Sequence, residues 1–337
     1  MKKIFLAFAA LAALAACNKA EVISAPEGEL ISFANPFVDN ATKAADKTYS
    51  GDKALTAFNL YGTVTGTTGT INIYNGCEVT GIVGSTMVDG KETNIWYCPV
   101  DQYWIGGAKY NFAAVADGTV ASEDTYGMPL TITCNTEVVG NVQNDLLYVR
   151  PDEITALASG NGPVNLVFNH LLAKAQFTVK STTEGDYYYS VKNININNYV
   201  NGTYYAQDVV VGADNTIDAG TWAGTGTKAN TAFGDVVDVR KANTDGKTCD
   251  YQRLLIPNTE NLTVTFTVEL WNANGTVDTA DDVKLSTKDE TITVTEKLLA
   301  GNAYNFNISL SVGELIQFTV TQNPTWTPAT GGSNVTL

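Results

Sequence analysis

Histidine is almost missing from this chain of 337 residues, where His170 stands alone. Metal centres built on two histidines are thereby excluded. Any Ser-His-Asp or Cys-His machinery would have to use that one ring. Basic residues are also scarce, 20 Lys and Arg against 35 Asp and Glu, for a net charge of −15. That sign argues against nucleic acid as a partner and against electrostatic docking to anionic lipid. The five cysteines show no Cys-x-x-Cys spacing, so a structural zinc site is not expected. After residue 16 no apolar run is long enough to span a bilayer as a helix.

What is present at the start sets the compartment. Lys2 and Lys3 precede an apolar run from Ile4 to Ala16, too short to span a membrane and typical of an export signal. It ends in Leu14-Ala15-Ala16-Cys17, which resembles the lipobox of bacterial lipoprotein precursors. That resemblance implies a signal peptide over residues 1–16 and lipid on the sulfur of Cys17. The acyl chains would then be the membrane link. About 320 residues remain, more than one core usually serves, so two domains are expected. Without Lys2 and Lys3 the balance is 18 basic against 35 acidic, or −17, which suits a self-repelling surface protein.

Alternation with period two dominates the mature chain. Leu262, Val264, Phe266, Val268 and Leu270 interleave with Thr263, Thr265, Thr267 and Glu269. Tyr304, Phe306, Ile308, Leu310 and Val312 interleave with Asn and Ser. Each set predicts a strand with one face in a core and one in water. Shorter sets recur from Phe58 to Val294, separated by polar turns, and together predict an all-β chain of antiparallel sandwiches. One short helix is expected, opened by Pro151 over Asp152 to Ala158 and closed by Gly160. The polar stretch Ser181 to Asp186 is the expected domain boundary, dividing 44–183 from 184–337.

Candidate chemistry is thin. His170 reads as a half-buried, hydrogen-bonding ring beside a strand. Scattered carboxylates leave a glycosidase-like pair open. The stretch Asn272 to Asp282 has oxygen ligands around Gly275, but it lacks the bidentate Glu of a calcium loop and reads as a hairpin tip. No metal and no cofactor is expected, and the chain is not expected to be an enzyme. Cys77 with Cys98 is the first pairing to test in an oxidising compartment, with free buried thiols as the alternative. Five Trp and 16 Tyr offer a second functional reading, a surface lipoprotein that stacks glycans, with Trp222 and Trp271 as the residues to test.

Several stretches in order, among them Leu30-Ile31-Ser32-Phe33, Phe58-Asn59-Leu60-Tyr61-Gly62, Tyr103-Trp104-Ile105-Gly106-Gly107, His170-Leu171-Leu172-Ala173-Lys174 and Gly301-Asn302-Ala303-Tyr304, resemble the fimbrillin family, the type V pilins of Gram-negative anaerobes. The resemblance implies two transthyretin-like antiparallel β-sandwiches in tandem, and subunits that join by strand exchange. It also implies a propeptide over 17–43 that carries the first strand, with Ile31, Phe33 and Phe37 on one face. A trypsin-like surface protease would cut after Lys43, or after Lys47, although the family's cut often follows Arg. The donor strand would be Ile316, Phe318 and Val320 with Trp326, or a later piece within 325–337. Partners would be other copies of the chain and other pilus subunits. The precursor would be an outer-membrane lipoprotein and the product a cell-surface fimbrium that supports adhesion.

Overall fold

The computed structural model describes residues 29–34, 37–38, 55, 57–88, 91–139, 143–159, 161–206, 221–275, 279–323 and 333–336. Cys17, Lys43, Lys47 and Trp326 lie outside them, as does the side chain of Phe37. The strands are β1 (Phe37–Val38), β2 (Ala57–Gly66), β3 (Gly69–Val88), β4 (Lys91–Tyr97), β5 (Lys109–Ala116), β6 (Thr119–Glu123), β7 (Pro129–Asn135), β8 (Leu147–Val149), β9 (Ile154–Thr155) and β10 (Val167–His170). They continue as β11 (Ala173–Ser181), β12 (Tyr187–Tyr205), β13 (Trp222–Val239), β14 (Lys247–Thr248), β15 (Arg253–Leu255), β16 (Leu262–Asn272), β17 (Val283–Val294), β18 (Ala303–Leu310), β19 (Gln317–Asn323) and β20 (Ser333–Thr336). No α-helix occurs among the described residues. The chain is all-β.

Three sheets form. The first runs β1-β10-β8-β5-β2-β3-β4, with β9 on β5. The second runs β14-β11-β18-β19-β20, with β15 on β11, and the third runs β17-β16-β12-β7-β6, with β13 on β12. Most pairings are antiparallel, but β1 with β10 and β11 with β18 are parallel. The alternating sequences behave as period-two strands should. Leu262, Val264, Phe266 and Val268 of β16, and Tyr304, Phe306, Ile308 and Leu310 of β18, all point into one core.

One expectation is corrected. The segment Asp152 to Ala158 is not a helix: β9 lies within it and pairs with β5, matching Tyr110 to Ile154. The Ala156 amide donates to the Ala108 carbonyl (2.8 Å) and the Gly107 amide donates to the Ala156 carbonyl (2.7 Å). Non-local backbone pairing outweighs the weak helix-start signal of Pro151. Some strand pairings link residues on either side of 183/184. β11 lies before that point but belongs to the sheet of β18, and β7 pairs across it with β12.

Buried residues gather in three clusters. One is built from residues 31–168, one from 173–320, and a third draws on both stretches, with Ile132, Leu146 and Tyr148 against Tyr204, Leu254 and Ile256. Polar groups stitch the same junction. Buried Gln143 accepts from the Leu254 amide (2.9 Å) and donates to the carbonyls of Leu254 (2.9 Å) and Thr136 (2.6 Å). Every one of these bonds satisfies a group that burial would otherwise penalise.

One device occurs twice. In β5 the Tyr110 hydroxyl accepts from the Ile105 amide (2.8 Å) and donates to the Tyr103 carbonyl (3.1 Å). In β18 the Tyr304 hydroxyl accepts from the Leu299 amide (2.8 Å) and donates to the Lys297 carbonyl (3.0 Å). The offsets are identical, and each tyrosine opens a Tyr-Asn-Phe triplet. Both tyrosines thus fix the loop that enters their strand.

Candidate functional site

The loop held by Tyr110 receives the leading segment. The Ile31 amide donates to the Gln102 carbonyl (2.8 Å), and the Trp104 amide donates to the Glu29 carbonyl (3.0 Å). Further along, the Val164 amide donates to the Ser32 carbonyl (2.8 Å) and the Ala34 amide donates to the Val164 carbonyl (2.9 Å). Then β1 takes the outer position beside β10, with Phe37 opposite Val167. Residues 29–34 and 37–38 therefore meet successive docking points at the margin of the first sheet.

Its side chains reach inward. Ile31 is 5% exposed and belongs to the core of the first sheet, and half-buried Phe33 packs against that core. The Phe33 ring meets Tyr74 edge-on at 6.1 Å and Phe112 at 5.8 Å. Trp104 closes the same aromatic group, 4.7 Å from Tyr110. Burial pushes the hydroxyls of Tyr74 and Tyr110 above the usual tyrosine range, so this wall of the site stays neutral. Burying Ile31 contributes about 2 kcal/mol, and each backbone bond about 1 kcal/mol.

At the other end of the chain, β19 lies between β18 and β20. Val320 is 0% exposed and Phe318 7%, both in the core of β16 and β18, and Ile316 packs against that core. Phe318 and Val320 of β19 are thus seated in their own chain's sheet, and Ile316, just before β19, packs against the same core. β20 is the margin of that sheet, with Val335 opposite Val320.

The remaining candidates are placed as follows. His170 ends β10, where its Nδ1 lies 2.6 Å from Oδ2 of fully buried Asp145. Burial raises the Asp145 carboxyl's pKa, against the pull of the His170 ring. Burial and the Asp145 charge push the Cys134 thiol up to about 12, the reverse of what a thiolate nucleophile needs. At Asn274 and Gly275 the backbone is left-handed (φ 48° and 71°), and Asn274 donates to the Asp281 carbonyl (2.7 Å), as a hairpin tip requires. Trp104 and Trp222 are buried, and Trp96 and Trp271 half-buried; the Trp271 ring is stacked on Tyr188, 5° from parallel.

An all-β chain with a strand-like leader docked at a sheet margin is the context in which the comparisons fall. The family model described as Fimbrillin-like matches residues 42–324. A second model, the prokaryotic membrane lipoprotein lipid attachment site, matches residues 1–18, a span that contains Cys17. The chain belongs to the fimbrillin-like family, and it carries the lipid attachment site of a lipoprotein. No curated protein matches it.

Solved structures with similarity to the chain include one from Bacteroides uniformis described as a candidate cell adhesion protein. It is 17% identical, with 88% of this chain and 98% of that one covered and a TM-score of 0.43. A fimbrial assembly protein from Parabacteroides distasonis is 14% identical, with 81% and 91% covered and a TM-score of 0.43. The tip fimbrial protein Mfa3 from Porphyromonas gingivalis, truncated at its C-terminus, is 10% identical, with 87% and 97% covered and a TM-score of 0.38.

Sequence reasoning missed three things. These are the paired tyrosine devices, the parallel docking of the leader beside β10, and the Asp145–His170 pair. The repeated Tyr-Asn-Phe triplet was a signal for the first. The other two arise from contacts between distant stretches and leave no local pattern.

Proposed function

We propose that the chain is a fimbrial subunit that polymerises by protease-triggered β-strand exchange. Lipid on Cys17 holds the precursor at the outer membrane. A trypsin-like surface protease cuts after Lys43, or after Lys47, and releases the leader together with its lipid. The slot left by residues 29–38 then accepts a strand from the C-terminal region of the next subunit. The fibre carries adhesion, and its partners are further copies of this chain and other pilus subunits.

One observation carries the reading: Ile31 and Phe33, upstream of both lysines, contribute to the core of the first sheet through a segment lying at its margin. Loss of that segment exposes apolar surface and leaves β10 as an unpaired edge, which is a template for an added strand. The donor is β20 with the chain around it. Withdrawing β19 would strip Phe318 and Val320 from their own core, whereas withdrawing β20 leaves β19 paired with β18.

The test is trypsin treatment of the purified precursor followed by electrophoresis without boiling. Ladders resistant to SDS are expected from the natural chain and none from a Lys43→Ala, Lys47→Ala variant. Ladders from the uncut variant, or none from a chain whose new N-terminus is Ala44 or Thr48, would overturn the proposal.

A further inference from the structure

Beside the slot stand two thiols that no functional role yet explains. The Cys77 sulfur, on β3, lies 3.2 Å from the Cys98 sulfur, just past the end of β4. Both side chains are half-buried and pack against the core that Ile31 and Phe33 join. A disulfide needs its sulfurs about 2 Å apart, so roughly 1 Å of approach separates this pair from a bond. The lipoprotein attachment site at the N-terminus sends the chain to an exported compartment, where such bonds form and persist.

The geometry points to a Cys77–Cys98 disulfide that braces the docking loop of the leading segment. Residues 99–104 follow Cys98 directly, and within them the Gln102 carbonyl and the Trp104 amide bond the leader. Tyr110 holds the far end of this loop through the Tyr103 carbonyl and the Ile105 amide. At the near end, among the described residues, the Cys98 thiol donates a long contact to the Val100 carbonyl (3.5 Å) and meets Cys77. A covalent link there would fix both ends of the loop. The wall of the slot would then keep its shape whether or not the leader occupies it. The bond itself stands on the sulfur geometry alone; only its use during subunit exchange rests on the function proposed above.

The oxidant is a protein disulfide of the thiol-oxidoreductase class. The Cys77 thiolate attacks one sulfur of that disulfide, forming a mixed disulfide and expelling the donor's second thiolate. As the chain folds, before burial pushes the Cys98 thiol up to about 12, the Cys98 thiolate attacks the Cys77 sulfur and displaces the donor's first sulfur. The two protons from Cys77 and Cys98 end on the donor, which leaves as a dithiol.

The full chain, isolated from cells, should be denatured in N-ethylmaleimide, digested without reduction and mapped by mass spectrometry. The expected result joins the Cys77 and Cys98 peptides and finds Cys134 and Cys249 alkylated. Alkylated Cys77 and Cys98, or either one joined to a different cysteine, would overturn the link. Amide exchange of the same folded protein, with and without a phosphine reductant, tests the brace. Exchange over 99–104, including the Trp104 amide, should become several-fold faster on reduction, with the amides of β18 unchanged. Equal exchange in both states would overturn the bracing role. Neither readout depends on polymerisation, so failure of strand exchange and failure of this link are told apart.

Discussion

Phe33 stands edge-on to Phe112, ring centres 5.8 Å apart and planes at 89°, so a residue of the leading segment completes an aromatic contact deep in the first sheet. Edge-to-face pairs of this kind contribute about 1 kcal/mol beyond area burial. Phe33→Ala is expected to lower the precursor's stability by about 1–3 kcal/mol, less than a fully buried Phe because the ring is half-exposed. Denaturant unfolding measures that loss. Amide exchange should quicken at Ala34 and Val164, which are bonded to each other's neighbourhood, before it quickens in β5.

The two C-terminal strands separate by their effect on the monomer. Val320→Asp places an unpaired charge in the core of β16 and β18, and loss of the folded monomer is expected, read as a collapsed thermal transition. Truncation after Asn323 removes β20 and should leave a folded monomer that is cut normally by trypsin but forms no ladder. A truncated chain that still polymerises would move the donor role back to β19.

Glu269 gathers charge partners on the third sheet. Its carboxylate accepts from Lys192 and Lys284, each at 2.9 Å, and from the Trp271 ring nitrogen at 3.2 Å. Burial works upward on its pKa, yet the two lysines hold it below the usual carboxylate range. A lowered folded-state pKa stabilises above the unfolded value, and that contribution is lost as pH falls through the folded one. Glu269→Gln should cost about 1–2 kcal/mol at neutral pH, a modest figure because both lysines are partly exposed. The cost should vanish in acid, as thermal melts across that range would record.

Asp145 works in the opposite direction. Burial holds its proton more tightly in the folded chain than in the unfolded one. The folded state therefore binds more protons between the ordinary carboxylate pKa, about 3.9, and the raised value. Stability from this group falls as pH rises through that window and stays lower above it. Asp145→Asn keeps a polar partner for His170 and removes the titration, so its melting temperature should gain on the natural chain as pH climbs from about 4. A constant offset at every pH would contradict this assignment.

Alkylation distinguishes the remaining thiols. With its pKa near 12, Cys134 should resist iodoacetamide in the folded protein at neutral pH and react promptly after denaturation. Mass spectrometry of a time course reads both rates.

Much of this molecule was legible as pattern. The alternation at Leu262 to Val268 and at Tyr304 to Leu310 named both the strand and its buried face, because in a sheet with one wet side the inward residues must be apolar. The hairpin tip at Asn274-Gly275 was legible for a similar reason, since few residues accept left-handed backbone. The short helix misled because its signals were local and weak, while the bonds that made Ile154–Thr155 a strand came from Lys109 and Tyr110, far away in the chain. The paired Cys77 and Cys98 were suggested by compartment, but only the fold set their sulfurs side by side.

Composition and period by themselves determined the class of this protein: export, acidity, β-structure, and a leader and a tail with the same apolar alternation. Tertiary structure alone decided which partner each alternating stretch meets. Phe318 and Val320 carry the same signal as Ile31 and Phe33, yet one pair is held inside its own sheet and the other docks at a margin. Alternation reports that a face is buried, and it carries no record of which chain or strand supplies the surface that buries it.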